Sequence, residues 1–167
     1  ALEACRVALK YKMPVMVLTD GYLANGAEPW RLPEVADLAP IDVTHAAPTT
    51  GDEPFLPYKR DPETLARPWA IPGTKGLEHR IGGLEKQQDT GNVSYDPQNH
   101  EDMTRVRQAK VDVVQADIPD IEVHGDDGGL LIVSWGGTYG AVRTAVDQAR
   151  LSGLKVGHVH LRWMNPM

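Results

Sequence analysis

Gly129-Leu130-Leu131-Ile132-Val133-Ser134-Trp135-Gly136-Gly137-Thr138-Tyr139-Gly140-Ala141-Val142-Arg143-Thr144-Ala145-Val146 is the stretch whose reading decides the fold. A continuous apolar run predicts a strand at Leu130–Trp135 that is buried in a parallel sheet. The glycines at 136, 137 and 140 predict a tight turn, and the residues around Ala141–Leu151 a helix that starts at once. Ser152-Gly153 marks the end of that helix, where a glycine commonly follows the last turn. Leu154 to Leu161 then reads as a second strand, completing a parallel βαβ unit.

The turn is the natural place to look for a ligand, because backbone N–H groups at a helix N-terminus point at any anion above them. Gly136, Gly137 and Thr138 are the candidate ligand-binding residues. Their pattern is G-G-x-x-G, whereas the dinucleotide fingerprint is G-x-G-x-x-G followed by an acidic residue at the end of the next strand. Here that strand ends in Leu161-Arg162-Trp163. No Gly-Lys-Ser/Thr follows, so the loop is not a P-loop. Tight packing in an α/β sheet is the favoured reading. The alternative is a stand-alone nucleotide- or CoA-binding module that uses Gly136–Gly140.

Upstream, Leu2, Cys5, Ala8, Leu9 and Met13 fall on one helical face, which would make the lone cysteine a core residue. Pro14 stops that helix, and Val15-Met16-Val17-Leu18 reads as a strand buried on both sides. Asp20 closes it at the carboxyl end, where α/β sites lie, although capping the following turn is the commoner role for such an aspartate. Residues 1–25 thus read as the last αβ step of a larger domain. The chain starts within helical spacing and halts at Asn165-Pro166-Met167, where another helix should begin. Both ends are therefore expected to be cuts within a longer protein.

Residues 26–99 carry ten prolines together with Trp30, Phe55, Tyr58, Trp69 and Tyr95. Disordered segments are poor in aromatics, so the expectation is an ordered arm laid across another surface. Short strands are expected near Gly76–Glu85 and Asn92–Tyr95, with Asp89-Thr90-Gly91-Asn92 as the turn between them. Asn99 then reads as the N-cap of a helix carrying Met103, Val106, Ala109, Val113 and Ala116 on one face and ending before Pro119. His124-Gly125-Asp126-Asp127-Gly128-Gly129 is a polar turn.

Composition narrows the function. The net charge of −6, from 17 basic and 23 acidic residues, argues against nucleic acid or an anionic membrane as main partner. A single cysteine permits no internal disulfide and points to a cytoplasmic location. His158 and His160 lie two apart in a strand and share a face, but zinc needs further ligands, and ordinary sheet-face histidines are the simpler reading. Glu78 and His79 would point to opposite faces of a strand and could not act as an acid–base pair. No catalytic or metal-ligating residue stands out.

Four stretches resemble the α subunit of 2-oxoglutarate:ferredoxin oxidoreductase: residues 13–30, with Gly21-Tyr22-Leu23-Ala24-Asn25-Gly26; residues 67–74, with Pro72-Gly73-Thr74; residues 76–85, with Gly76-Leu77-Glu78-His79; and the strand–glycine–helix at 130–146. They occur in the family's order over nearly the whole chain. The resemblance implies an α/β fold. Residues 1–25 would end a pyrimidine-binding domain, 26–99 would form a proline-rich connector arm, and 100–167 would begin a domain like the C-terminal domain of transketolases. It also implies oxidative decarboxylation of a 2-oxoacid to the acyl-CoA, with thiamine diphosphate, Mg and an iron–sulfur cluster held mostly outside this chain. CoA is the co-substrate, ferredoxin the electron acceptor and a β subunit the partner. The family's Tyr-Pro-Ile-Thr-Pro motif does not occur in this sequence, nor does a cysteine cluster, and Gly137 replaces the family's serine in the strand–helix loop. No catalytic residue is carried over, and the chain alone is expected to be inactive.

Overall fold

The computed structural model describes residues 1–50, 53–125 and 128–167. The chain folds as two compact units, one made of residues 1–16 and 39–116, the other of 17–38 and 117–167.

In the first unit, α1 (Leu2–Tyr11) buries Val7 and Tyr11, one turn apart, while Leu2 and Cys5 are exposed. The expected Leu2-Cys5-Leu9 face is therefore not the buried one, and the cysteine is not in the core. Two apolar stripes compete on this short helix. The one bearing Tyr11 is buried, and the Tyr11 hydroxyl reaches the Val113 carbonyl at 3.5 Å. Lys12 ends the helix in the left-handed conformation (φ 49°), and its carbonyl accepts a 3.0 Å hydrogen bond from Lys110 Nζ.

The unit's long helix, α3 (Pro97–Asp112), is capped by Asp96, whose carboxylate accepts from Gln98 N at 3.0 Å. The expected cap, Asn99, lies inside the helix. Proline at the first helical position needs no hydrogen-bond partner for its nitrogen and sets φ for the helix, which places the start earlier. Asn99 instead ties the helix to the preceding loop, accepting from Gln88 N and donating to Lys86 O, both at 3.0 Å. Met103 and Lys110 are buried on α3, and Val114 in the 3-10 turn (Val113–Asp117) that follows. Ala116, expected on the apolar face, is exposed.

The turn expected at Asp89–Asn92 is present, closed by Gly91 N to Gln87 O and Gln87 N to Asn92 O. In place of the flanking strands stands a single bridge, Lys86 with Val93, and Tyr58 forms a separate bridge to Asp89 of the turn. Buried Lys86 explains part of this, because its ammonium donates to the carbonyls of Gly82 and Leu84 and curls the chain there. Glu78 and His79 are accordingly not on a strand. Glu78 accepts from Gly76 N, and His79 Nδ1 sits 2.8 Å from Leu77 O.

The second unit contains α2 (Gly21–Asn25), β1 (Val123–His124), β2 (Leu130–Trp135), α4 (Tyr139–Leu151) and β3 (Val156–Leu161). β2 and β3 pair in parallel, with α4 between them in sequence and packed against both. The βαβ unit is present as expected. The sheet is mixed, however: its order is β1-β3-β2, and β1 runs antiparallel to β3. β2 is consequently an edge strand with only Ser134 buried, and not the buried strand its composition suggested. β3 is the central strand and carries the buried residues Val156, His158 and Val159. Val15–Leu18 is not a strand either, with Met16 87% and Leu18 74% exposed. A strand requires a neighbour for its N–H and C=O groups, and none of the described strands pairs with this run. Asp126 and Asp127, in the expected polar turn, lie outside the described residues. Among the described residues no helix is long and apolar enough to cross a membrane.

Met103 is 2% exposed, so Met103→Ala is expected to cost about 2–5 kcal/mol of unfolding free energy in urea titrations. Leu151→Ala, at a position 89% exposed, should stay within about 0.5 kcal/mol.

Candidate functional site

Two neighbouring features at the carboxyl ends of β2 and β3 make up the candidate site, the region where α/β sheets bind ligands. The first is the glycine turn. Gly136 adopts φ 66°, a left-handed conformation that a side chain disfavours, and Gly136–Thr138 form a 3-10 turn that leads into α4. Gly137 is required for a different reason. Its N–H donates at 2.6 Å to Asp20 Oδ2, and a Cβ there would collide with that carboxylate. Asp20 Oδ1 meanwhile accepts from Leu23 N at 2.8 Å, capping α2. The expected cap is present, and the same carboxylate also fills the anion position at the glycine turn. Thr138 turns its hydroxyl back to Trp135 O at 2.8 Å. Spacing alone could not pair Asp20 with Gly137, which are 117 positions apart.

The second feature is a histidine cluster. The parallel register sets Ser134 directly opposite His160, with His158 two residues earlier on the same face. Ser134 Oγ lies 2.7 Å from His158 Nε2 and 2.8 Å from His160 Nδ1. A hydroxyl has one proton to donate and two lone pairs, so with neutral rings it donates to one imidazole and accepts from the other, coupling their tautomers. Tyr139, at the start of α4, packs against both rings with centroids 5.8 and 5.0 Å away. The expectation of histidines sharing a sheet face near a helix is met; their joint partner Ser134 was not anticipated. Alternation across paired strands was the available signal, since Ser134 and His160 meet only once the register is known.

Beside the cluster, His124 Nε2 lies 2.6 Å from Asp147 Oδ1, and Arg143 Nε approaches Asp147 Oδ2 at 3.4 Å. The His124 hydrogen bond, then the charges of His124 and Arg143, hold the Asp147 carboxyl below its ordinary range. Burial pushes His158 below the ordinary histidine value, and the positive charges of His160, Arg143 and His124 add to it. A cleft of about 640 Å³ opens here, lined by His124, Tyr139, Arg143, His160, Arg162 and Trp163 among others. Arg143 and Arg162 share this lining with Asp120 and Glu122, so the cleft carries both signs of charge. No group of three or more His, Cys, Asp or Glu side chains able to hold a metal occurs among the described residues.

Comparison with known proteins places this arrangement. No family model matches the chain. The 2-oxoglutarate oxidoreductase subunit KorA of Mycobacterium tuberculosis is 54% identical over 168 residues, covering 99% of this chain and 25% of KorA. The α subunit of 2-oxoacid:ferredoxin oxidoreductase 1 of Aeropyrum pernix is 28% identical over 174 residues, covering all of this chain and 26% of that subunit. Among solved structures, 2-oxoglutarate:ferredoxin oxidoreductase from Magnetococcus marinus, with 2-oxoglutarate, coenzyme A and succinyl-CoA bound, superposes with a TM-score of 0.83 at 33% identity. The match covers 97% of this chain and 28% of that one. The βαβ unit with its glycine turn is thus similar to an α/β segment of these oxidoreductase subunits. The chain matches one continuous segment of them almost end to end, and it spans about a quarter of the length of the Mycobacterium tuberculosis and Aeropyrum pernix subunits.

Two outcomes are expected. Asp20→Ala and Gly137→Ala each release α2 from the glycine turn, costing about 0.5–2 kcal/mol as for a lost cap. In a double-mutant cycle the combined variant should cost clearly less than the sum, because both remove one contact. The pH dependence follows from His158, whose folded-state affinity for a proton is lower than in the unfolded chain. The unfolded chain therefore binds more protons below the ordinary value of 6.5, and stability should fall as pH drops through that value. Melting temperatures of wild type and His158→Gln between pH 5 and 8 check this, with the variant showing the shallower decline.

Proposed function

We propose that this chain forms part of the α subunit of a thiamine-diphosphate-dependent 2-oxoacid:ferredoxin oxidoreductase. The complete enzyme oxidatively decarboxylates 2-oxoglutarate to succinyl-CoA and passes the electrons to ferredoxin. The observation that carries this reading is the 54% identity to a 2-oxoglutarate oxidoreductase subunit across 99% of the chain. The bound 2-oxoglutarate, coenzyme A and succinyl-CoA of the Magnetococcus marinus relative support the choice of substrate and product.

The role of this segment is assembly and part of the active-site wall. Residues 1–25 end a pyrimidine-binding domain, 26–99 connect, and 100–167 begin a transketolase C-terminal-like domain. Exposed apolar side chains, among them Leu18, Trp30, Leu130 and Trp135, support a segment built to be covered by more protein. The β subunit is the partner, ferredoxin and CoA meet the complete enzyme, and its location is the cytoplasm. An iron–sulfur cluster needs several thiolates, and the one cysteine, Cys5, does not fit that requirement. Thiamine diphosphate, Mg and the cluster are accordingly assigned mostly to other parts of the enzyme. Gly136, Gly137 and Thr138 act as packing residues, open to a ligand only where Asp20 gives way.

The complete enzyme, α with β, is expected to reduce a viologen dye in a manner that depends on both 2-oxoglutarate and CoA. The isolated chain should give no turnover with or without thiamine diphosphate. Turnover by the chain alone, or a complete enzyme indifferent to 2-oxoglutarate, would overturn the proposal.

A further inference from the structure

Residues 17–38 belong to the second unit, yet very little fastens them to it. From Val17 to Asp37 every residue is exposed except Asp20, which is half-buried. Most hydrogen bonds of the segment are local. Asp20 O accepts from Ala24 N, Asn25 Nδ2 donates to Gly21 O, and the 3-10 turn (Val35–Asp37) closes on itself. Among the described residues, the Asp20–Gly137 bond is the one hydrogen bond or ion pair that leaves the segment.

That bond is built to hold. At 2.6 Å it is short, and an ionised acceptor makes it stronger than a neutral pair. The two carboxylate oxygens serve different partners, Oδ2 taking Gly137 N and Oδ1 taking Leu23 N, so one side chain joins the root of α2 to the glycine turn. Gly137 admits the carboxylate because a Cβ would stand in its place. Beyond α2, Gly26 continues in extended backbone, and Pro29 and Pro33 fix φ at two further positions. A stiffened segment with a single side-chain fastening moves as one piece when that fastening opens.

We propose that residues 17–38 form a releasable strap with Asp20 as its catch: opening the Asp20–Gly137 bond frees residues 21–37 while the βαβ unit stays folded. The βαβ unit has its own support, since the β2–β3 ladder and the packing of α4 on both strands use no residue of the strap. The same opening uncovers the Gly137 N–H at the carboxyl end of β2. One hydrogen bond thus sets both the position of the strap and access to that end of the sheet.

The test runs hydrogen exchange and limited trypsin digestion on the complete subunit in its native assembly, as wild type, Asp20→Ser and Gly137→Ala. Serine caps a helix as well as aspartate does, but it carries one oxygen, a bond nearer the backbone. Asp20→Ser therefore keeps the Leu23 cap and loses the Gly137 bond, while Gly137→Ala breaks that bond from the other side. Arg31 is the one trypsin site between residues 17 and 38. In both variants the amide at position 137 should exchange, and the cut after Arg31 proceed, at least about tenfold faster than in wild type, because each needs only local opening. Peptides of α4 and β3 should keep their wild-type exchange. Combining the two substitutions should add little to either single rate, since both remove one contact. Unchanged cutting after Arg31 in both variants means that the strap is held elsewhere and overturns the proposal. Loss of protection throughout α4 and β3 in Asp20→Ser overturns it too, as does an amide at 137 that exchanges as fast in wild type as in the variants.

Discussion

The parallel ladder between β2 and β3 is the constraint on which the second unit depends. It pairs Leu130 with Val156 at one end and Trp135 with Leu161 at the other, with no slip between them. A shift of one residue would move every side chain to the opposite face. Ser134 would then leave His160, and Tyr139 would lose the rings it packs on. The glycine turn sits at the carboxyl end of β2 for the same reason, because α4 must begin there to return the chain to β3. β1 adds to the free side of β3, setting His124 beside His158 and bringing the Asp147 pair to the rim of the cleft.

At the glycine turn the N–H of Gly137 is satisfied internally by Asp20, so the chain supplies its own carboxylate where other folds place a phosphate. The turn with the recognisable motif is thus satisfied from within. Lys110 binds the Lys12 carbonyl across 98 positions of sequence, a pairing that no local pattern announces.

Much of the second unit was legible because its elements are long and periodic. β2 has the bounds its apolar run suggested, and α4 begins only two residues before the expected Ala141. Local rules misled where two signals competed. Pro97 outranked Asn99 as the start of α3, and the Tyr11 stripe of α1 outranked the one carrying Cys5. Val15–Leu18 has the composition of a buried strand and is not one, because strand formation depends on a neighbour and not on composition alone. The run at Leu130–Trp135 forms its strand but stays half open, since order within the sheet decides burial and β3 took the centre.

By itself the sequence determined the βαβ unit, the glycine turn, the turn at Asp89–Asn92 and the likeness to the oxidoreductase α subunits. These rest on local spacing or on motif words that do not depend on which distant residues meet. Only the tertiary structure decided that Asp20 occupies the glycine turn, that Ser134 joins His158 and His160, and that Lys110 binds the Lys12 carbonyl. Each of these is a contact across many residues of chain, fixed by strand register or helix packing, and one-dimensional spacing carries no record of either.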